Sequence, residues 1–358
     1  MRRMGIIATI VSLGLLGLVG ASTAPAAAAG VKAVRVAGGL QSPVAFTIAP
    51  DGRLVYLERH TGWLRFRNLR TGRDQRVHRI LNVKSDGERG ALGVALHPGW
   101  PQQPFVYAFA TRNTSSGLRN QVLRIKVRNG RGVGVRRLLS IAAGPAANHN
   151  GGRILFGPGG KLFVVVGDNA DPANAQDRTN NMRGKILRIN PDGSIPGDNP
   201  RGRIWAYGIR NSIGFAFDPL TGRLWQQDNG PSCNDEINRI VKGGNFAWGP
   251  NQDCPKTNNS GPTPRIRPKY TFVDTVGLTG VTFCDGCGLG PAYQGDLFVG
   301  AVTNGRIVRF DLGARRFSFE AGPQLVLDRP GPALSLEVGP NGRIYFSDFG
   351  AIYRLAPA

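Results

Sequence analysis

Residues 146–170, AANHNGGRILFGPGGKLFVVVGDNA, contain two short apolar runs on either side of a Gly-Pro-Gly-Gly turn. Apolar runs bounded by glycine and proline in this way predict a β-hairpin. A polar loop precedes the hairpin, and in it His149 stands between two asparagines and before two glycines. The chain has only 4 histidines, so a histidine where a loop enters a strand is a candidate functional residue.

The same strand–turn–strand pattern recurs along the chain. Similar segments begin at Val44, Gly93, Gly214 and Ser335, and a weaker copy begins near Val281. A third run follows each pair, with apolar residues alternating with polar ones as in a half-buried strand: GWLRF, QVLRI, GKILRI, DEINRI, GRIVRF and AIYRL. The turn prolines of the six copies are spaced by 48, 60, 61, 72 and 49 residues: Pro50, Pro98, Pro158, Pro219, Pro291 and Pro340.

This repeat predicts an all-β fold, a six-bladed β-propeller with four-stranded blades. Helical periodicity is nearly absent after the N-terminal segment, which disfavours folds that place helices between strands. The last copy shows three strands, and residues 31–37, VKAVRVA, form an unpartnered strand at the other end. We expect this strand to complete the last blade, because closure removes two exposed sheet edges.

The N-terminus has the pattern of a secretory signal peptide. Arg2 and Arg3 precede an apolar run at residues 5–20, and three alanines at 27–29 form a small-residue cleavage site. A membrane anchor is the alternative, but the run is short for a span of about 20 residues. We therefore expect a signal peptide at 1–29, one propeller domain at 30–358, an extracytoplasmic location and no transmembrane segment after cleavage.

The formal net charge is +22. Such a charge is compatible with binding to nucleic acid or to an anionic cell surface. Because the arginines are spread along the chain without a basic run, we do not predict nucleic-acid binding. Association with an anionic cell envelope stays open.

Four cysteines, Cys233, Cys254, Cys284 and Cys287, suggest disulfides in an exported protein. Three pairings are possible, and we favour Cys233–Cys254 and Cys284–Cys287 as the nearest pairs. A zinc site and a redox-active CDGC segment are the alternatives.

Three loops carry candidate site residues. His149 could take a proton from an alcohol or simply bond its neighbours. Arg210 and Asn211 precede a strand, and arginine can hold a carboxylate bidentately. Calcium prefers carboxylates and backbone carbonyls. A loop in the fourth copy of the repeat offers both kinds of ligand: Asp228, Asn229, Gly230, Pro231, Asp235 and Glu236. Local pairing with arginines is the alternative for these acids.

Five motifs, in this order on six blades, resemble the glucose/sorbosone dehydrogenase family of exported PQQ-dependent aldose dehydrogenases: GERGALGVALHP, NHNGGRILFGPGGKLFVVVGD, GKILRINPDG, YGIRNSIGFAFDP and NGPSCNDEIN. The resemblance covers essentially the whole chain after the signal peptide. It implies oxidation of an aldose at its anomeric carbon, with electrons passed to an external acceptor.

The resemblance also implies a mechanism. His149 matches the base that deprotonates the anomeric hydroxyl while a hydride passes to C5 of PQQ. Carbonyls matching Gly230 and Pro231 hold a calcium ion that polarises the quinone, and Asp235 and Glu236 match the acidic part of that motif.

The cofactor contacts implied in the same way are Glu88, Asn148, Arg210, Asn211 and Thr303. We also predict Arg306 as a cofactor contact, because it could replace charge that is lost where the chain departs from the family. Two of these positions depart from the family, which has glutamine where Glu88 stands and lysine where Thr303 stands. Two arginines of the family fall on Pro332 and Leu334. Because the binding groups for the PQQ carboxylates are changed, a second hypothesis is a propeller that has lost PQQ and binds a carbohydrate or protein around a structural calcium. A metal-assisted hydrolase using His149 is a third.

Overall fold

The computed structural model describes residues 30–252, 254 and 261–358. The signal peptide predicted for residues 1–29 lies outside them. The described residues form six four-stranded antiparallel sheets, so the predicted six-bladed β-propeller is confirmed.

Each blade is given from its inner to its outer strand. Blade 1 comprises β2 (Ala45–Ile48), β3 (Arg53–Leu57), β4 (Trp63–Asn68) and β5 (Asp74–Arg79). Blade 2 comprises β6 (Ala91–Leu96), β7 (Phe105–Thr114), β8 (Gly117–Arg128) and β9 (Arg131–Ala142). Blade 3 comprises β10 (Ile154–Phe156), β11 (Leu162–Val166), β12 (Lys185–Ile189) and β13 (Ile204–Tyr207).

Blade 4 comprises β14 (Phe215–Phe217), β15 (Leu224–Asp228), β16 (Cys233–Ile240) and β17 (Tyr270–Asp274). Blade 5 comprises β18 (Leu278–Phe283), β19 (Leu297–Ala301), β20 (Ile307–Phe310) and β21 (Gln324–Leu327). Blade 6 comprises β22 (Leu336–Val338), β23 (Ile344–Ser347), β24 (Ala351–Pro357) and β1 (Val31–Gly38). Helix in the described chain is limited to α1 (Ala173–Gln176) and a 3₁₀ turn (Pro291–Tyr293), and neither could cross a membrane.

The N-terminal strand closes the ring, as the sequence predicts. β1 pairs antiparallel with β24, from Val31 opposite Pro357 to Gly38 opposite Ala351. The amide of Ala358 donates to the carbonyl of Gly30 at 2.8 Å. The last blade therefore contains both ends of the described chain.

The core consists of six apolar layers, one between each pair of neighbouring blades. β11 shows how the strand period of two builds them. Leu162, Val164 and Val166 pack in the layer shared with blade 2, whereas Phe163 and Val165 pack in the layer shared with blade 4. Every blade thus contributes to two layers, and removal of one blade would expose both.

Both favoured disulfides, Cys233–Cys254 and Cys284–Cys287, are present. None of the four cysteines is free. This pairing leaves no thiolate to bind zinc.

The innermost strands surround a channel that a buried arginine crosses. Arg153, just before β10 of blade 3, donates from Nη1 to Ser335 Oγ at 2.6 Å and from Nη2 to the Leu336 carbonyl at 3.0 Å. Its guanidinium also pairs with Glu337. Blades 3 and 6 are opposite in the ring, so this contact divides the channel into two cavities, one at each end.

Candidate active site

The larger cavity, about 470 Å³, lies where the polar loops enter the innermost strands. Its volume is within the usual range for small-molecule sites. Eight of the predicted site residues line it: Glu88, Asn148, His149, Arg210, Asn211, Asn229, Gly230 and Pro231. Apolar side chains complete the wall: Val44, Leu92, Ile213, Leu278, Val302, Leu334 and Phe349.

His149 has a left-handed backbone conformation that hydrogen bonds from neighbouring loops stabilise. Its φ of 57° is left-handed, which is uncommon for a residue with a side chain. Its amide donates to Glu88 Oε2 at 2.7 Å, and its carbonyl accepts from Asn169 Nδ2 at 3.0 Å. The loop is therefore fixed on both sides of the imidazole.

A buried carboxylate orients the His149 ring. His149 Nδ1 lies 2.7 Å from Asp168 Oδ1, and Asp168 Oδ2 accepts from Trp248 Nε1 at 2.6 Å. Asp168 is fully buried. Because a carboxylate beside Nδ1 favours the tautomer with a proton on that nitrogen, Nε2 is the nitrogen free to accept a proton at the cavity.

Asp168 and Trp248 were not singled out by the sequence analysis. Asp168 ends the motif quoted for His149, 19 residues further on, and an acidic residue two positions after the buried strand β11 was the available signal. Trp248 is 80 residues from Asp168. No sequence pattern linked it to the site.

Glu88 does not face the cavity as an isolated negative charge. Besides the His149 amide, it accepts from Asn211 Nδ2 at 3.4 Å through Oε1. Burial lowers the pKa of the Arg59 and Arg210 guanidinium groups, and the charge of Glu88 partly offsets that lowering in both. The carboxylate thus joins the His149 loop to the Arg210 loop.

Arg59 is a cavity residue that the sequence analysis missed. It follows β3 and Glu58, and its Nε donates to the Arg89 carbonyl at 2.9 Å. A second bond joins Arg59 Nη2 to the Gly87 carbonyl. Arg59 and Arg210 give the cavity two cations from different blades.

A buried aspartate holds the backbone of the Arg210 loop. Asp228 accepts from the Arg210 amide at 2.9 Å and from the Asn211 amide at 2.6 Å. Burial raises the pKa of Asp228 to about 7. Arg210 itself lies against the Trp248 ring, with its Cζ 5.2 Å from the ring centroid.

The predicted calcium ligands occupy different environments. Gly230 and Pro231 line the cavity, but Arg210 Nη1 donates to the Gly230 carbonyl at 2.9 Å. Asp235 accepts from the amides of Gly230, Val276 and Gly277 at 2.9, 2.8 and 2.8 Å. These three hydrogen bonds fix the backbone of the Gly230 loop against the segment before β18.

Glu236 is buried behind the Gly230 loop. Its Oε2 accepts from Asn238 Nδ2 at 2.7 Å, whereas Oε1 has no partner among the described residues. Burial and then the charge of Asp228 raise the pKa of Glu236 well above its ordinary value. A buried carboxylate oxygen without a donor is a place where a cation would be stabilised.

The cavity fits a flat polyanion. Two guanidinium groups and the amides of Asn148 and Asn211 are suited to carboxylates, and the apolar wall is suited to a ring system. The carbonyl oxygens of Gly230 and Pro231 are hard neutral ligands of the type calcium takes. In this structure Arg210 satisfies Gly230, and the described residues hold no cluster of three or more His, Cys, Asp or Glu that could bind a metal.

Thr303 and Arg306 lie outside the lining of this cavity. Thr303 Oγ1 donates to the Val276 carbonyl at 2.6 Å, and Arg306 Nε donates to Asp328 at 3.0 Å on the exposed surface. Their predicted role in cofactor binding therefore receives no geometric support. Leu334 contributes apolar surface where the family has arginine.

The fold and this cavity define a β-propeller with a cavity of small-molecule size at one end of its channel. The family model for glucose / sorbosone dehydrogenase matches residues 40–354. The chain therefore belongs to that family.

Three relatives show the extent of the similarity. An oxidoreductase (glucose dehydrogenase) of Thermus thermophilus is 33% identical with a TM-score of 0.81, covering 91% of this chain and 100% of its own. The PQQ-bound form of the aldose sugar dehydrogenase from Streptomyces coelicolor is 26% identical with a TM-score of 0.78, covering 93% and 99%. Quinoprotein glucose dehydrogenase B of Acinetobacter calcoaceticus is 33% identical over 241 residues, 58% of this chain and 50% of that protein. The chain thus matches about half the length of that relative.

Proposed function

We propose that this protein oxidises an aldose at its anomeric carbon with PQQ and calcium, and passes the electrons to an external acceptor. The observation that carries the proposal is the His149–Asp168 pair at the end of a cavity that also contains Arg59 and Arg210. Oxidation of the anomeric carbon to a lactone removes one proton and one hydride. The site therefore needs a base and a two-electron acceptor close together.

His149 supplies the base in this proposal. Its Nε2 takes the proton from the anomeric hydroxyl, and Asp168 stabilises the resulting imidazolium through Nδ1. Trp248 fixes the orientation of Asp168 by its indole N–H. Together these contacts keep the ring in one orientation before the sugar arrives, which lowers the entropic cost of the step.

The two arginines and the asparagines hold the cofactor. PQQ would supply a quinone as the two-electron acceptor, and calcium held by the Gly230 and Pro231 carbonyls would supply a Lewis acid. Arg59 and Arg210 neutralise carboxylates, while Asn148 and Asn211 offer amide donors. Calcium at Gly230 would either share that carbonyl with Arg210 or displace the Arg210 bond, since a backbone carbonyl has two lone pairs.

Replacing Arg59 with glutamine is expected to weaken PQQ binding roughly 10- to 100-fold, because a hydrogen bond to a charged group contributes about 1.5–3 kcal/mol. Calorimetric titration of PQQ in the presence of calcium measures the effect. Arg59→Lys should restore part of the affinity, since it keeps the charge but not the bidentate geometry.

Arg306→Gln is the matched control, because Arg306 is paired with Asp328 at the surface. It should leave the PQQ dissociation constant within about twofold of the wild-type value, well inside the range of surface effects. If Arg306→Gln and not Arg59→Gln weakens binding, the cofactor lies elsewhere than proposed.

The direct test of the proposed function is titration of the metal-stripped protein with calcium and PQQ, followed by addition of aldoses and a redox dye. One-to-one PQQ binding with sugar-dependent dye reduction is expected. Absence of PQQ binding, with calcium still raising the melting temperature, would refute it.

A second candidate function rests on the Arg210–Gly230 contact. The Arg210 guanidinium already donates to the Gly230 carbonyl that calcium would use. In this alternative the propeller has no PQQ, and its cavity binds a carbohydrate or protein directly. A structural calcium then lies near Glu236. Sugar binding without quinone and without dye reduction would distinguish this function from the first.

The location follows from the proposed reaction and the N-terminal pattern. We propose that residues 1–29 direct export and that the propeller acts outside the cytoplasm. A redox acceptor in that compartment then receives the electrons.

A further inference from the structure

Blade 2 contains no acidic residue. Between Glu88 and Asp168 the chain has no Asp or Glu at all, and blade 2 lies wholly within that interval. The blade carries eight basic residues: Arg112, Arg119, Arg124, Lys126, Arg128, Arg131, Arg136 and Arg137. The net charge of +8 on blade 2 therefore reflects both its eight basic residues and its lack of any acidic residue to offset them.

The excess charge of the protein is concentrated on this side of the ring. Residues 45–142 contain 18 Lys and Arg against 5 Asp and Glu, whereas residues 143–358 contain 23 against 18. A search for basic runs does not detect this difference, because no more than two of these 18 cations are adjacent in the sequence.

Strand register gathers five of the cations on one face of the β8–β9 hairpin. Arg124 is opposite Arg136, Arg128 is opposite Arg131, and Lys126 is opposite Gly134. Residues two apart on a strand share a face, and directly opposite residues share it too. We call Arg124, Lys126, Arg128, Arg131 and Arg136 the five-cation face. It lies at the outer rim of the ring, away from the innermost strand β6.

None of these five cations pairs with a carboxylate within 4.0 Å in the part of the chain that the structure describes. The nearby Asp192 accepts from the hydroxyl and amide of Ser194, which lower its pKa, and Arg136 adds only a smaller effect. Blade 1 differs, since its Arg65 binds both Glu58 and Asp74. Like charges opposite each other destabilise a strand pair, so the five-cation face keeps an electrostatic cost that an anionic partner would offset.

We propose that the five-cation face binds a linear phosphate-bearing polyol or glycan polymer of the cell envelope. Arginine and lysine recognise phosphate strongly, and cations spaced along a strand pair suit an extended chain with repeated charge. This binding is independent of the function proposed for the channel cavity.

The face lacks what a single-stranded nucleic acid needs. Base binding uses exposed aromatic rings as stacking surfaces. Phe105 is covered by Arg124, whose Cζ lies 4.6 Å from the ring centroid, and the exposed apolar residues of β9 are Val133 and Val135. Because the five-cation face offers positive charge but no exposed aromatic ring, it is better suited to a phosphate polymer that has no bases.

The test compares two triple variants with equal loss of charge. Lys126→Gln/Arg131→Gln/Arg136→Gln removes three exposed cations of the five-cation face, and Lys242→Gln/Arg267→Gln/Arg315→Gln removes three exposed cations from blades 4 and 5. Binding of poly(glycerol phosphate) to the full-length mature protein is measured by calorimetry at several salt concentrations. Melting temperatures confirm that both variants fold.

The blade 2 variant should bind at least 10-fold more weakly at low salt, and the slope of log K against log salt should fall by about 2, as expected for three lost phosphate contacts. At about 0.1 M salt the control variant should stay within about threefold of the wild type, because at that ionic strength a charge is screened beyond about 10 Å. Equal losses in both variants, or none in the blade 2 variant, would overturn the proposal. Tighter binding of a single-stranded oligonucleotide of equal charge through the same residues would overturn the class of partner.

Discussion

Replacing His149 with asparagine is expected to lower kcat for aldose oxidation by about 10²- to 10⁴-fold, the usual contribution of a general base. Asparagine tolerates the left-handed backbone at this position, so the loop should keep its shape. PQQ and calcium affinities should stay near wild type, because the change removes the base and not a cofactor charge. Steady-state kinetics with a redox dye and calorimetric titration of the cofactor measure the two quantities.

His97→Asn is the matched control for this substitution. His97 accepts from the Gly99 amide in the β6–β7 turn, far from the cavity lining, and asparagine can make the same bond. Its kcat should equal that of the wild type. Loss of folding in His149→Asn with normal activity of the folded fraction would mean that His149 is structural.

Asp168→Asn is expected to lower kcat by a similar factor, about 10² to 10⁴, although Asp168 lies behind the base. The carboxylate accepts from His149 and from the Trp248 indole at the same time. An amide offers only one acceptor oxygen, so either the Trp248 N–H loses its partner or the imidazole is held in the tautomer that cannot accept a proton at Nε2. The readout is a kcat loss with KM and PQQ affinity changed by less than about threefold, as expected when transition-state stabilisation alone is lost.

Two further variants separate positioning from stability. Asp171→Asn, at an exposed turn three residues away, should behave as wild type. Trp248→Phe removes one donor to Asp168 and should cost less than Asp168→Asn. A fall in melting temperature that accounts for the lost activity of Asp168→Asn would contradict a positioning role.

The propeller could be predicted because its determinants are local and repeated. Each blade carries its own turn proline and its own apolar third strand, so six copies support one conclusion. Closure by β1 followed from counting strands, and the disulfides followed from sequence proximity. The blades and the disulfides depend on contacts between segments that are neighbours in the chain. The β1–β24 pairing joins the two ends of the described chain, and it could be predicted because the last copy lacked one strand.

The site could be predicted only in part, because its contacts join distant loops. His149 and Arg210 belong to recognisable motifs. Arg59 lines the cavity, and Asp168 and Trp248 stand behind His149, only through the geometry of the ring. Asp235 shows the converse problem. Its residue type suits calcium, yet the structure engages its carboxylate with three backbone amides.

The hydrogen bond between Ala358 and Gly30 makes the propeller a nearly continuous circle. The packing of such a circle does not determine where the chain must begin and end. The termini could lie in another blade without changing the contacts between blades. A short linker from residue 358 to residue 30, with new termini at the exposed Ser115–Ser116 turn between β7 and β8, would give a circular permutant with all six apolar layers intact. Every blade would keep its neighbours, and the cavity loops would keep their order around the channel.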